Sequence, residues 1–298
     1  MGRIEIVTVP SLAILLVLGC ALAFSGADIT RKLLASWMRP VPLLFALAAG
    51  MAPFFIAWHL ESGGGLPSSD YWLPGLTSTL INVAANLAFI EAVRRSPLSL
   101  TIPLLSLTPV FTALLAIPLL GEIPESRQWL GIGAVVIGAF WLNLSRGSVS
   151  LRDAWDAFLR EPGSRLMVSV SLLWSVAMPL DKIAVTAASP SFHGVVLNVG
   201  VAIALVVLAT ARGRLAEFRD LRHRPGLLLA AVLISVVALG LQLMAIQIVW
   251  VGFVETLKRG LGSFLALLWG RVIFGEALEP QRFVAVAAMG LGVALILL

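Results

Sequence analysis

Apolar runs recur along the whole chain, each about 20 residues long, which is the length a helix needs to cross the hydrocarbon of a bilayer. They predict ten spans, near residues 10–30, 41–60, 72–93, 98–119, 128–144, 166–186, 193–211, 226–248, 254–274 and 282–298. Lipid offers no partner to an unpaired backbone group and the runs are too long for barrel strands, so helices are the expected spanning element. The first run has the position of a signal peptide. However, only Arg3 precedes it, no strong small-residue cleavage site follows, and the second half carries a matching copy, so it is read as a retained helix.

The pattern is written twice. Gly121-Glu122 lies between two apolar runs, and Gly275-Glu276 does the same 154 residues later. Gly138 and Gly292 keep that offset, and Asp28 and Asp181 sit in similar apolar settings 153 apart. Asn86 and Glu91 in the third span match Gln242 and Gln247 in the eighth, 156 apart. Residues 1–147 thus read as a first five-helix repeat, 148–165 as a polar linker and 166–298 as a second five-helix repeat. Five is odd, so the second repeat enters the membrane in the opposite direction to the first. The expected fold class is an all-α membrane protein of ten transmembrane helices in two inverted-topology repeats. Such a pair has two nearly equivalent packings, one open to each side, and exchanging them gives alternating access.

The longest polar segment, 145–165, joins the repeats, and its middle, 151–159, reads as a short amphipathic helix at the membrane surface. Of the 21 Lys and Arg residues, 16 fall on the face opposite the termini and at most 5 on the terminal face. The positive-inside rule then puts the segments 31–40, 94–97, 145–165 and 212–225 in the cytoplasm and both termini outside.

Composition narrows the function. Hydrophobic residues make up 59% of the chain and charged residues 12%, about half the share of roughly 25% in soluble proteins, so lipid is the consistent solvent. The net charge of +5 does not mark a nucleic-acid partner, because the basic residues lie in short segments between apolar runs. Cys20 is the single cysteine, which excludes an internal disulfide, and its apolar run makes it a packing residue. His59, His193 and His223 are scattered and form no metal-ligand spacing. No HExxH, GxSxG or Walker loop is present, so neither an enzyme nor an ATP-driven pump is expected, and no cofactor.

Ionisable groups inside a span are costly and mark candidate sites. Glu255 precedes Lys258 by three residues and Arg259 by four, so one helical face carries all three. Two cations against one carboxylate leave a net +1 that an anionic group can satisfy, with Glu255 holding the cations until substrate displaces it. The alternative is a neutralised cluster that snorkels to the headgroups. Asp181 and Lys182 are adjacent, do not face each other, and each need a partner elsewhere. Asp28 lies three residues before Arg31 and four before Lys32, within reach of a local pair. Asn82 and Asn86 share a face one turn apart, and they and Gln242 either glue helices together or line a cavity. Trp174 and Trp269 are candidate cavity residues among tryptophans that otherwise belong to interfacial belts. Glu122 and Glu276 read as helix-end features, capping the next helix or pairing with a basic residue. Pro103, Pro109 and Pro118 bend the fourth span. Gly131, Gly133, Gly138, Gly290 and Gly292 favour close helix packing or a dimer.

The stretch LTPVFTALLAIPLLGEIPESRQWLGIGAVVIGAF, residues 107–140, resembles the drug/metabolite transporter superfamily in its EamA-type branch, and the resemblance extends over nearly the whole chain. It implies a transporter with a central cavity between two halves, often an exporter of metabolites, in a bacterial inner (plasma) membrane. A narrower likeness is to the phosphate-ester branch, whose ninth helix carries a phosphate-binding Lys-Arg pair where this chain has Lys258-Arg259. Family members usually have cytoplasmic termini, against the charge bias here.

Together these readings describe a secondary transporter of a small or amphipathic organic anion, phosphate-bearing compounds included. Lys258 and Arg259 would hold the anion, Glu255 compete with it, and Asn82, Asn86 and Gln242 supply hydrogen bonds. Coupling is either to protons, through Asp28, Asp181 or Glu255, with Lys182 as a further coupling or gating residue, or by exchange of substrates, and the sequence does not separate the two. The rival readings are a flippase for a phosphate-linked lipid carrier, an exporter of neutral or cationic compounds, and a non-transport membrane subunit, which would have no central polar cavity. A monomer is preferred, since ten spans suffice to build both sides of a cavity.

Overall fold

The computed structural model describes residues 11–144, 161–275 and 280–297. The helices are α1 (Ser11–Ala35), α2 (Pro40–Glu61), α3 (Trp72–Arg95), α4 (Leu98–Thr101), α5 (Thr108–Leu120), α6 (Ser126–Leu144), α7 (Pro162–Ala187), α8 (Pro190–Ala211), α9 (Pro225–Ile248), α10 (Val251–Phe274) and α11 (Pro280–Leu297). No strand occurs among the described residues. The expected surface helix at 151–159 and the residue Glu276 lie outside the described residues.

The helix boundaries follow from local chemistry. Pro40, Pro162, Pro190 and Pro225 open α2, α7, α8 and α9, where the missing N–H has no helical partner to lose. At the start of α8, Phe192 N donates to Ser189 Oγ at 3.1 Å, a side-chain cap. Gly121 ends α5 and Gly275 ends α10, both in the left-handed conformation, with φ of 69° and 66°. The duplicated glycine is therefore a duplicated helix stop. Between α4 and α5 the chain runs as a 3-10 helix over Ile102–Leu107, with Pro103 in its first turn and Pro109 at the start of α5, which withhold two backbone donors. The fourth span is broken in three rather than merely bent.

Six segments are long and apolar enough to cross a membrane: Ser11–Ala35, Pro40–Glu61, Ser69–Arg95, Pro162–Ala187, Pro190–Ala211 and Pro225–Ile248. α10 has the length, with 24 residues, but carries Glu255, Lys258, Arg259 and Arg271. The outer faces are apolar: Leu15, Leu73 and Leu130 are 66%, 81% and 67% exposed, as side chains facing acyl tails rather than water would be.

Helices of the first half take their main partners from the second. α3 packs along α7, α1 along α9, α2 against α8 and α6 against α11, while α5 meets α7 and α10 meets α1. Small residues let these backbones close up. A Cβ on Gly50 would fall 2.7 Å from Val232 Cγ2, one on Gly200 would fall 2.7 Å from Thr79 Cγ2, and one on Gly194 would strike the Phe55 ring. Gly138 and Gly292 serve the α6–α11 contact in the same way, meeting Met289 and the Gly131 carbonyl, so these two glycines are used inside the chain. Around Gly133 and Gly290 there is open space instead. Cys20 is fully buried in α1, as expected of a packing residue.

Candidate functional site

A cavity of about 920 Å³, counting the part open at its mouth, lies where α1, α2, α3, α7, α8, α9 and α10 converge. Its apolar wall includes Phe24, Leu44, Met51, Trp174 and Leu197. The polar groups reach it from helices that carry one or a few each.

On α10, Glu255, Lys258 and Arg259 point into the cavity from consecutive turns. Glu255 is fully buried and Lys258 nearly so. Lys258 Nζ is paired with Glu255 Oε1 and donates to Gln242 Oε1 of α9 at 2.7 Å. Arg259 Nε donates to Glu255 Oε2 at 3.0 Å. Each cation also lies over an aromatic face at 5.0 Å, Lys258 over Phe24 and Arg259 over Trp174. Removing Glu255 would leave two desolvated cations facing each other, which is the costly way to break a buried cluster.

On α1, Asp28 and Arg31 line the cavity as a local pair, with 3.7 Å between Oδ1 and Nη1, and Arg31 lies 5.7 Å from the Phe89 ring centroid. Asn82 and Asn86 of α3 reach the same space. Asn82 Nδ2 donates to the Ser78 carbonyl at 3.1 Å, and Asn86 Nδ2 donates to the Asn82 carbonyl at 2.9 Å. Both amides thus spend donors on their own helix. Ser235 of α9 lines the cavity with a buried hydroxyl that has no hydrogen-bond partner among the described residues. A buried orphan hydroxyl facing a cavity is a place for a ligand group or an ordered water.

Asp181 of α7 lines the cavity from the other side and is nearly buried. Its carboxylate accepts from Ser78 Oγ of α3 and lies 3.0 Å from Nε2 of His193 on α8. His193 Nδ1 in turn lies 3.0 Å from the Tyr71 hydroxyl, and both rings are fully buried. The sequence marked Asp181 but passed over His193 and Tyr71. A lone histidine near a span start carries no spacing signal, and its partners are 12 and 122 residues away along the chain.

Two expected site residues lie elsewhere. Lys182 turns away from the cavity, pairs with Glu122 and donates to the Val249 carbonyl at 2.8 Å. Glu122 Oε2 also accepts from Val251 N at 2.9 Å. The glutamate of the first Gly-Glu pair therefore caps α10, a helix of the other half, rather than the next helix, as well as pairing with a basic residue. Trp269 lies outside the cavity wall, and its Nε1 donates to Ser25 Oγ at 3.0 Å, pinning α10 to α1. Glu91 pairs with Arg94 and Arg95, at 3.3 and 2.5 Å, and so is occupied locally. No cluster of three metal-ligating side chains occurs among the described residues.

Residues 11–144 match the model of the EamA-like transporter family. Among solved structures, one crystal structure of a protein superposes over 96% of this chain and 96% of its own, with a TM-score of 0.69 at 15% identity, which shows a shared fold. No curated protein matches the chain by sequence.

Proposed function

We propose that this chain, an EamA-type membrane transporter by the family to which its first half belongs, carries a small or amphipathic organic anion through the cavity by alternating access. The observation behind the choice of an anion is the α10 cluster, with two cations sharing one carboxylate on the cavity wall. The local surplus is one positive charge. An anionic group displacing the carboxylate oxygens would exchange one set of charge-assisted hydrogen bonds for another. Gln242 and the orphan hydroxyl of Ser235 stand on the neighbouring helix to hold the rest of the ligand. Phosphate, phosphonate and carboxylate groups all fit that donor set.

Alternating access rests on reading the chain as ten spans in inverted repeats, divided at the linker 148–165. The six long apolar helices are joined in that reading by the broken α4–α5 span, α6, α10 and α11. The packing pattern supports it. If α1, α2, α3, α5 and α6 are exchanged for α7, α8, α9, α10 and α11, the contact of α3 with α7 becomes that of α9 with α1. In the same way, α5 with α7 becomes α10 with α1, while α2–α8 and α6–α11 map onto themselves. This is the behaviour expected of two halves about one two-fold axis.

A second reading has one specific observation in its favour. Lys258 is held by Glu255, Gln242 and the Phe24 ring, and Arg259 by Glu255 and the Trp174 ring, as they would be in a purely structural cluster. Under it the cargo is neutral or cationic and lies against Trp174 and Phe24.

A thermal-shift panel on purified protein separates the two, because a ligand that binds only the folded chain raises its apparent stability. Matched phosphorylated, carboxylated, neutral and cationic compounds are compared, with Lys258→Ala alongside. Stabilisation by anions that is lost in Lys258→Ala is the expected result, and stabilisation confined to lipid-linked phosphates would redirect it to a flippase. Stabilisation by neutral or cationic compounds, unchanged in Lys258→Ala, overturns the anion reading.

A further inference from the structure

The charged side chains on the cavity wall balance. Arg31, Lys258 and Arg259 stand against Asp28, Asp181 and Glu255. An anion entering this space would leave it one charge negative, and in a low-dielectric cavity an uncompensated charge is expensive. Two of the three carboxylates are already matched by permanent cations, Asp28 by Arg31 and Glu255 by Lys258 and Arg259. Asp181 is different. Among the described residues its only charge-capable partner is His193, whose charge can change with a single proton.

We propose that the Asp181–His193 pair is a proton-binding site that loads together with the anion, so that cargo and proton cross the membrane as a neutral couple. The inference rests on the anion reading of Lys258 and Arg259 for its cargo.

The geometry around the pair fits that role. In the unloaded state the Asp181 carboxylate accepts from His193 Nε2–H and from Ser78 Oγ, while the Tyr71 hydroxyl donates to His193 Nδ1. One proton arriving from the cavity, on the imidazole or on the carboxylate, turns this end from −1 to 0 without breaking a covalent bond. With the proton on Nδ1, the Tyr71 oxygen becomes the acceptor. The far side of the relay is sealed by aromatic rings. Phe192 lies 5.0 Å and Trp72 5.5 Å from the Tyr71 ring, and Tyr71 has no exposed surface. The cavity is therefore the open side of the pair.

Neighbouring charges leave the site to act alone. On α7, Lys182 is engaged by Glu122 on the opposite face. From α2, His59 lies beside Ser191 and Phe192, outside the seal, and Glu61 is exposed. α5 and α9 carry no titratable side chain. On α3, Glu91 is paired with Arg94 and Arg95, while Asp70, beside Tyr71 in the chain, and Arg165, at the start of α7, are exposed. The charges that face the pair across the cavity, Asp28 and Arg31 on α1 and Glu255, Lys258 and Arg259 on α10, are matched to one another.

The test uses the full chain in lipid nanodiscs. Infrared difference spectra between acidic and mildly basic buffer, without any ligand, should show a band from a protonating carboxyl or imidazole. That band should be absent from both Asp181→Asn and His193→Gln. Methanesulfonate and methyl sulfate, which stay singly charged across the same pH range, then serve as anion probes. Linkage to one proton predicts that wild-type affinity falls by up to about tenfold per pH unit as the buffer becomes more basic, and that Asp181→Asn binds with no such slope. An unchanged difference spectrum in both variants overturns the proton site whatever the anions do. Anion binding with the same pH slope in wild type and Asp181→Asn overturns the coupling while leaving the anion reading standing. The band present with no anion bound at any pH overturns the anion reading and the coupling built on it, and leaves only a proton site.

Discussion

Glu255 ties together both cations of the α10 cluster. It has no solvent exposure and balances Lys258 and Arg259 from one position. Glu255→Gln should lower the apparent stability by about 3–5 kcal/mol, the cost of stranding buried cations. Glu255→Leu combined with Lys258→Met and Arg259→Met should recover much of that loss, because apolar packing replaces the whole cluster. Thermal unfolding in detergent measures both. A Glu255→Gln protein as stable as wild type would mean that water reaches the cluster and that the cations are not held as described. The spacing of Glu255, Lys258 and Arg259 was legible in the sequence because it is local to one helix. Gln242, 16 residues from Lys258, was legible as the repeat counterpart of Asn86 and as a candidate hydrogen-bonding group, but not as a partner of Lys258. Its carbonyl oxygen on the ammonium became visible through packing.

The elements follow from short-range rules, and one of them gives a clean prediction. Gly121 ends α5 at a φ of 69°, a conformation that costs a residue with a Cβ about 1–2 kcal/mol. Gly121→Ala should lower the apparent melting temperature. Gly133→Ala, in a helical backbone with nothing within 4 Å of the added Cβ, should leave it unchanged or raise it slightly. Equal effects at the two positions would show that the left-handed stop after α5 is not what the glycine supplies. The same rules explain why the fourth span differs from its neighbours. Pro103 and Pro109 each lack an N–H, so the segment between them tightens into a 3-10 helix. Toward its C-terminal end two buried hydroxyls meet partners from the other half: Ser106 lies 3.4 Å from Ser263, and Thr108 lies 2.9 Å from Ser171. The prolines announced a bend, but the facing serines came from helices 63 and 157 residues away and carried no signal of their own.

At the scale of the whole molecule, the inverted-repeat reading makes a prediction about sides. Ser68, in the loop after α2, and Gly213, in the loop after α8, are both exposed and fall on opposite faces in a ten-span chain. A membrane-impermeant maleimide on intact cells should label Ser68→Cys, and Gly213→Cys should be labelled only after permeabilisation. The reverse pattern would invert the orientation drawn from the basic residues. Labelling of both from one side would remove the ten-span topology. What the sequence by itself determined is the content governed by composition and short-range pattern. That content is an apolar helical chain, the duplicated glycine stops, the proline break, and the charged triplet on α10. Only the tertiary structure decided which polar groups share one cavity. It brought Asp181 to Ser78 and His193, with Tyr71 behind them, sent Lys182 to Glu122 and Trp269 to Ser25, and so divided the intramembrane polar residues between site and scaffold. The physical reason is that a buried polar group must find a partner, and in a bundle whose helices take their neighbours from the opposite half that partner is most often far away along the chain.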